Sequence, residues 1–269
     1  MSPFPPATRE LQLDEKWAFV YKKPRQCDPE DHADHTQGEC WDHVAFDPEH
    51  RLVLGVVFGK RSATKILQLL KTVKKQLRNR APRLVTSDQF SGYQTVLKQV
   101  WQTPLPLERD RRCKNRTRHK QQQSTADSSL NYATVCKQYE NGRVVKVDTQ
   151  LVFGNHASLA AALDESSVST RINTSFIERH NATDRHRNAR KARRTYRFSK
   201  DWQIHQAVGY FTYYTYNFCW CVRTLAQPIE NPTTSTQRRC RTPAMAAKLT
   251  DHVWTLSEWL SYPIAGLSS

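Results

Sequence analysis

The chain has 269 residues with 41 lysines and arginines against 25 acids, a formal charge of +16. That length is enough to bury a full core, and so large a positive excess implies a polyanionic partner such as nucleic acid. Seven cysteines without a C-x-x-C pair point to reduced thiols in a cytoplasmic protein, and no stretch is long and apolar enough to span a bilayer.

Residues 1–10 are proline-rich and read as a disordered tail. Leu11 to Tyr21 alternates as a strand, and Trp41–Phe46 and Arg51–Phe58 follow as two more, turned by Asp47-Pro48-Glu49-His50. Together they predict an antiparallel three-strand meander. Ser62 is placed to cap a helix running to about Asn79, with Ile66, Leu69, Leu70, Val73 and Leu77 on one face. A short strand, Arg83–Ser87, leads into Asp88, and a second helix is expected over Ser91–Trp101. The segment 103–133 is basic and poor in apolar residues and reads as an insertion, partly disordered. A hairpin over Thr134–Tyr139 and Arg143–Phe153, turned at Asn141-Gly142, and a short helix over Ala157–Leu163 come next.

From Arg179 to Lys200 the cations Arg179, Arg185, Arg187, Arg190, Lys191, Arg193, Arg194, Arg197 and Lys200 face a single acid, Asp184. The helix beginning near Ser175 shows almost no apolar face, so it is expected to face DNA, with His180 and Asn181 joining these cations at the phosphates. A solvated charge run is the alternative. Trp202–Val222 is apolar nearly all round and is expected to be a buried helix, its tyrosines serving packing before base stacking. Residues 226–269 read as a linker and a small helical segment. Cys27, His32, His35, Cys40 and His43 suggest zinc, although their spacing matches no standard finger.

Three acids stand out. Asp14 lies on the first strand, Asp88 ends the fourth, and Glu178 lies on the cation-rich helix. Three convergent carboxylates suit two-metal phosphoryl transfer, with magnesium the fitting ion and manganese its substitute. Each acid also has a plain alternative: Asp14 on the surface, Asp88 as a helix cap, Glu178 paired with Arg179 or Arg185. Glu15, next to Asp14, is expected on the opposite face of the strand.

The motifs Leu13-Asp14-Glu15-Lys16-Trp17-Ala18-Phe19-Val20, Ser87-Asp88-Gln89-Phe90-Ser91-Gly92-Tyr93 and Ile177-Glu178-Arg179-His180-Asn181 resemble, in order, the three acid motifs of DDE transposases. The insertion-sequence-one family is the best match. The resemblance continues through Phe198-Ser199-Lys200, Tyr214-Thr215-Tyr216-Asn217-Phe218-Cys219 and Arg241-Thr242-Pro243-Ala244-Met245-Ala246-Ala247. It implies an α/β fold: a ribonuclease-H-like mixed sheet over residues 11–225, with the antiparallel meander joined by parallel strands and flanked by helices. It further implies Asp14, Asp88 and Glu178 as catalytic metal ligands, cleavage of double-stranded DNA at transposon terminal repeats, and joining of the 3′-hydroxyl to target DNA. A homo-oligomer follows from the need to join two ends, and a nucleoid-associated location from the substrate. Family members carry a zinc-binding and helix-turn-helix reader ahead of the first strand; here that role is expected of a separate chain or frame. Cys219-Trp220-Cys221-Val222-Arg223 departs from the family pattern. A metal-dependent nuclease without strand transfer, or an inactive copy that only binds DNA, are the competing expectations.

Overall fold

In the computed structural model the described residues are 6–28, 30–101, 130–192, 194–229 and 238–262. Six strands form one mixed sheet in the order β3-β2-β1-β4-β5-β6. β1 (Glu10–Val20), β2 (Gly38–Asp47) and β3 (Leu52–Gly59) make the expected antiparallel meander. β4 (Leu84–Asp88) runs parallel to β1, and β5 (Asn131–Glu140) parallel to β4. β6 (Arg143–Phe153) returns antiparallel to β5 through Asn141 and Gly142, both at positive φ, as a tight two-residue hairpin requires. β5 begins inside the segment read as insertion, with Asn131, Tyr132 and Ala133 buried. The basic stretch 102–129 lies outside the described residues, as do Arg193 and residues 230–237.

Helices cover both faces of the sheet. α1 (Ala63–Gln76) is capped by Ser62, whose side chain accepts from the Lys65 amide, and buries Ile66, Leu69, Leu70 and Val73. With α2 (Gly92–Trp101) it packs on Leu11, Leu13, Leu54 and Val85, burial worth roughly 1.5–3 kcal/mol per large side chain. α3 (His156–Asp164) covers Leu84 and Ala133. The opposite face carries α4 (Ser175–Arg187) and α5 (Trp202–Cys219) over Val44, Phe46, Val53, Val56 and Phe58.

α5 differs from the expectation of a helix buried all round. It stops at Cys219, and its buried residues are His205, Gly209, Tyr213, Tyr216 and Asn217, while Ile204, Tyr210 and Phe211 are exposed. Only one stripe meets the sheet, because a helix lying on a sheet has a single contact line. Gly209 makes the closest approach: a Cβ there would sit 2.4 Å from the Phe58 ring. Short β7 (Gln227–Pro228) and β8 (Arg238–Arg239), then α6 (Pro243–Ala246) and α7 (Leu256–Ser261), complete the described chain. Cys221 and Cys240 are bonded, against the expectation of reduced thiols, and Cys27, Cys40, Cys136 and Cys219 are free. Among the described residues no helix is long and apolar enough to cross a membrane.

The chief correction concerns α4. Its lack of an apolar face does not turn it to solvent; the buried face is polar and matched to β1. The Ile177 amide donates to Gln12 Oε1 (3.0 Å), Asn181 Nδ2 donates to Asp14 Oδ2 (2.7 Å), and Asp184 pairs with Lys16. Alternate residues of the strand thus meet successive turns of the helix. Each such bond contributes on the order of 1 kcal/mol net, with more for the charged pair. Packing therefore does explain this helix, through hydrogen bonds instead of hydrocarbon.

Candidate active site

The strand order turns back at β1, with β2 on one side and β4 on the other. Open α/β sheets expose a crevice at such a point. The β1–β4 ladder covers only Glu10–Gln12 against Leu84–Thr86; two residues further on, the same register sets Asp14 opposite Asp88. There β4 ends and the strands part. Carboxylate oxygens of Asp14, Glu15 and Asp88 all lie within 4.8 Å of one another. Glu15 was not expected here. Alternation does send it to the α1/α2 side, where its carboxylate is buried, but it still reaches the gap. Asp88 also accepts from the Phe90 amide at 3.1 Å, a contact within the turn that precedes α2.

Burial, then Asp88 and Glu15, push the Asp14 carboxyl up to about 7. Asn181 opposes this by donating to it, and the amide's own oxygen is buried without a partner. Arg61 reaches across the cluster, 3.0 Å from Glu15 Oε2 and 3.3 Å from Asp88 Oδ2, with its guanidinium stacked on Phe90. The three crowded carboxylates form an all-oxygen donor set of the kind a hard divalent cation takes. Glu178 is not part of this cluster. Its carboxylate takes Lys137 of β5 at 2.5 Å and Thr174 Oγ1 at 2.5 Å, not Arg179 or Arg185. It lies one turn before Asn181, on the helix that contacts Asp14.

Beyond Asp14 lies a second, fully buried charge cluster. Lys16 and Lys191 face Asp42 and Asp184: Lys191–Asp42 is 2.5 Å, Lys16–Asp42 3.3 Å and Lys191–Asp184 3.8 Å, with Lys16 and Asp184 in direct contact. Burial works to raise both carboxyls, but the two ammonium groups outweigh it and hold them below the ordinary range. Tyr213 donates to Asp42 at 3.0 Å, and Cys40 and His205 lie alongside. Cys40, Asp42 and His205 come close enough to hold a metal. The surroundings argue against one: burial pushes the Cys40 thiol up to about 12, and Asp42 is already neutralised by lysines. Among the described residues the loop set read for zinc does not gather either. His43 binds the Lys60 carbonyl at 3.2 Å, and of that set Cys40 alone enters a possible metal-holding group among the described residues.

The expected DNA contacts divide. His180, Asn181 and Lys191 are only 4, 3 and 6% exposed, so they are not surface phosphate ligands; their partners lie in the interior. Phe46, Tyr213 and Tyr216 surround His180, and burial drives its pKa down to about 3. Arg179, Arg194, Arg197 and Lys200 are exposed, and Arg185, Arg187 and Arg190 half-buried. Arg187 stacks 3.1 Å above the Trp220 ring, which gives the departing segment 219–223 a structural role. Trp17, Tyr196, Arg185, Arg190 and Arg194 line a groove beside these residues, which the sequence reading missed; the aromatic–basic interleaving around 194–198 was its signal.

No protein-family model matches the chain, and no curated protein matches it.

Proposed function

We propose that the chain is a metal-dependent DNA phosphoryl-transfer enzyme of the transposase kind, cleaving at element ends and joining a 3′-hydroxyl to target DNA. The observation that carries this reading is the meeting of Asp14, Glu15 and Asp88 where β1 and β4 part, on a chain of charge +16. The strand order, an antiparallel β1–β3 followed by parallel β4 and β5, is that expected of a ribonuclease-H-like domain and supports the reading at the level of fold.

Asp14 and Asp88 would hold magnesium, with Glu178, one turn from Asn181, as the third ligand that the motif resemblance implies. Bound there, the ion supplies Lewis acidity at a phosphate oxygen and lowers the pKa of the attacking water or hydroxyl. Asn181 orients Asp14, and Arg61 holds Asp88 and Glu15 in place while offering positive charge to a bridging phosphate. The exposed arginines after α4 provide sequence-blind phosphate contacts.

A DNA-binding copy without turnover is the second reading. One observation favours it: cationic side chains, Arg61 and Lys137, already rest on Glu15, Asp88 and Glu178. Plasmid nicking in magnesium tests both. Wild-type nicking lost in Asp14→Asn, Asp88→Asn and Glu178→Gln supports the first. Nicking unchanged in the aspartate variants overturns it, and DNA binding with no wild-type nicking selects the second.

A further inference from the structure

The crevice continues past the acid cluster along an open strand edge. β1 pairs with β2 as far as Val20, but on its other side the ladder with β4 ends at Gln12. That edge stays unpaired until Val20 bridges Ser199, where the Tyr21 amide donates to the Ser199 carbonyl at 2.7 Å. A cavity of about 830 Å³ lies against β1 here, lined by Trp17, Phe19, Tyr196, Arg185, Arg190 and Arg194. Its size is that of a cleft holding a ligand of several rings. Trp17 is three residues beyond Asp14, about 10 Å along an extended strand.

The lining combines accessible aromatic rings with arginines that no carboxylate among the described residues neutralises. Trp17, Phe19 and Phe198 form a row of rings, with centroids 5.7 and 4.9 Å apart. Trp17 is 41% exposed and Tyr196 96%, so these rings do little for packing. No carboxylate among the described residues lies within 4.0 Å of Arg185, Arg190 or Arg194, and no acid lines the cavity. Lys191 also borders it, but its ammonium is held inside by Asp42. Open ring faces interleaved with unpaired guanidinium groups fit a strand that offers bases on one side and phosphates on the other. A duplex keeps its base faces stacked and could use only the arginines.

We propose that this groove binds an unpaired segment of a DNA strand, bases against Trp17 and Tyr196 and phosphates on Arg185, Arg190 and Arg194, so that strand separation next to the scissile phosphate is part of substrate binding. The proposal rests on the reading of the acid cluster as a DNA-processing site. Its test needs no turnover. Fluorescence anisotropy of labelled oligo(dT), and of a duplex of equal length, is measured with the full chain in EDTA across a salt series. Oligo(dT) should bind more tightly than the duplex and quench tryptophan emission. Trp17→Ala and Tyr196→Ala should each weaken oligo(dT) binding by about tenfold, a typical loss for one stacking ring, and leave duplex binding within twofold. Arg185→Gln with Arg194→Gln should weaken both ligands and flatten the salt dependence. Tyr196 is so exposed that its replacement does not threaten folding. Equal oligo(dT) affinity in both aromatic variants, or equal losses on oligo(dT) and duplex, overturns the proposal. Nicking by wild type without single-strand preference would sink this inference alone; single-strand preference without nicking would sink the enzymatic reading alone.

Discussion

Asp184→Asn is the sharpest probe of how α4 is held. The side chains of Lys16, Asp42, Asp184 and Lys191 are at most 3% exposed, and their charges cancel two against two. Asparagine keeps the shape and can still accept a hydrogen bond from Lys16, so little packing is lost. What is lost is charge balance, since two ammonium groups then share one carboxylate in the interior. Removing one partner of a buried ionic group costs about 3–5 kcal/mol, a large part of the ~5–15 kcal/mol that holds a domain together. Urea denaturation followed by far-UV circular dichroism should report a loss of that size. The double variant Lys16→Met with Asp184→Leu leaves a neutral Lys191–Asp42 pair and should recover to within about 1 kcal/mol of wild type, because replacing a buried pair by hydrocarbon is close to neutral. If Asp184→Asn is as stable as wild type, or the double variant is weaker than the single, the charge-balance account of α4 is wrong.

Acid should act in two separate pH windows. Burial drives His180 from 6.5 down to about 3 and His205 down to about 4, so between pH 6.5 and 4 the unfolded chain binds protons that the folded chain refuses. Stability is then full above pH 6.5 and falls by about 1.4 kcal/mol per unit per histidine, or about 2 kcal/mol each by pH 5. The carboxyls of Asp14, Glu10 and Glu15, raised chiefly by burial, and His50, where Asp47 and Glu49 outweigh burial, work the other way and offset part of this. The carboxyls of Asp42 and Asp184 are held below their usual value of 3.8, so their contribution is present above that pH and disappears only at lower pH. His180→Phe should raise the stability at pH 5 relative to that at pH 7 by about 2 kcal/mol against wild type, and an unchanged pH dependence in a denaturation series would contradict the histidine account. Arg61→Met should increase the rise in Tm on adding magnesium, since Glu15 and Asp88 lose their counter-ion and the ion gains the site uncontested; an unchanged shift in differential scanning fluorimetry argues against a cation there. Gly209→Ala should cost about 1–3 kcal/mol by urea denaturation, because its Cβ would collide with the Phe58 ring.

Much of the architecture follows from residue order. The alternation in 11–21, the apolar face from Ile66 to Leu77, the Ser62 cap and the Asn141-Gly142 turn are local signals, and each element formed within a few residues of its expected ends. Asp14, within the first prospective strand, and Asp88, at the end of the fourth, are grouped by the resemblance of their motifs, and the parallel register of β1 and β4 is what sets them opposite each other. The polar face of α4 could not be assigned that way. A helix with Gln12, Asp14 and Lys16 waiting for it and a helix facing solvent have the same composition, and strand and helix lie about 165 residues apart in the chain. Only the fold decides which carboxylates meet which ammonium groups. It therefore took His180, Asn181 and Lys191 off the surface, added Glu15 to the acid cluster and set Lys137 on Glu178. Periodicity is written in neighbouring residues, whereas electrostatic partnership is set by distance through space, and tertiary packing alone fixes that distance.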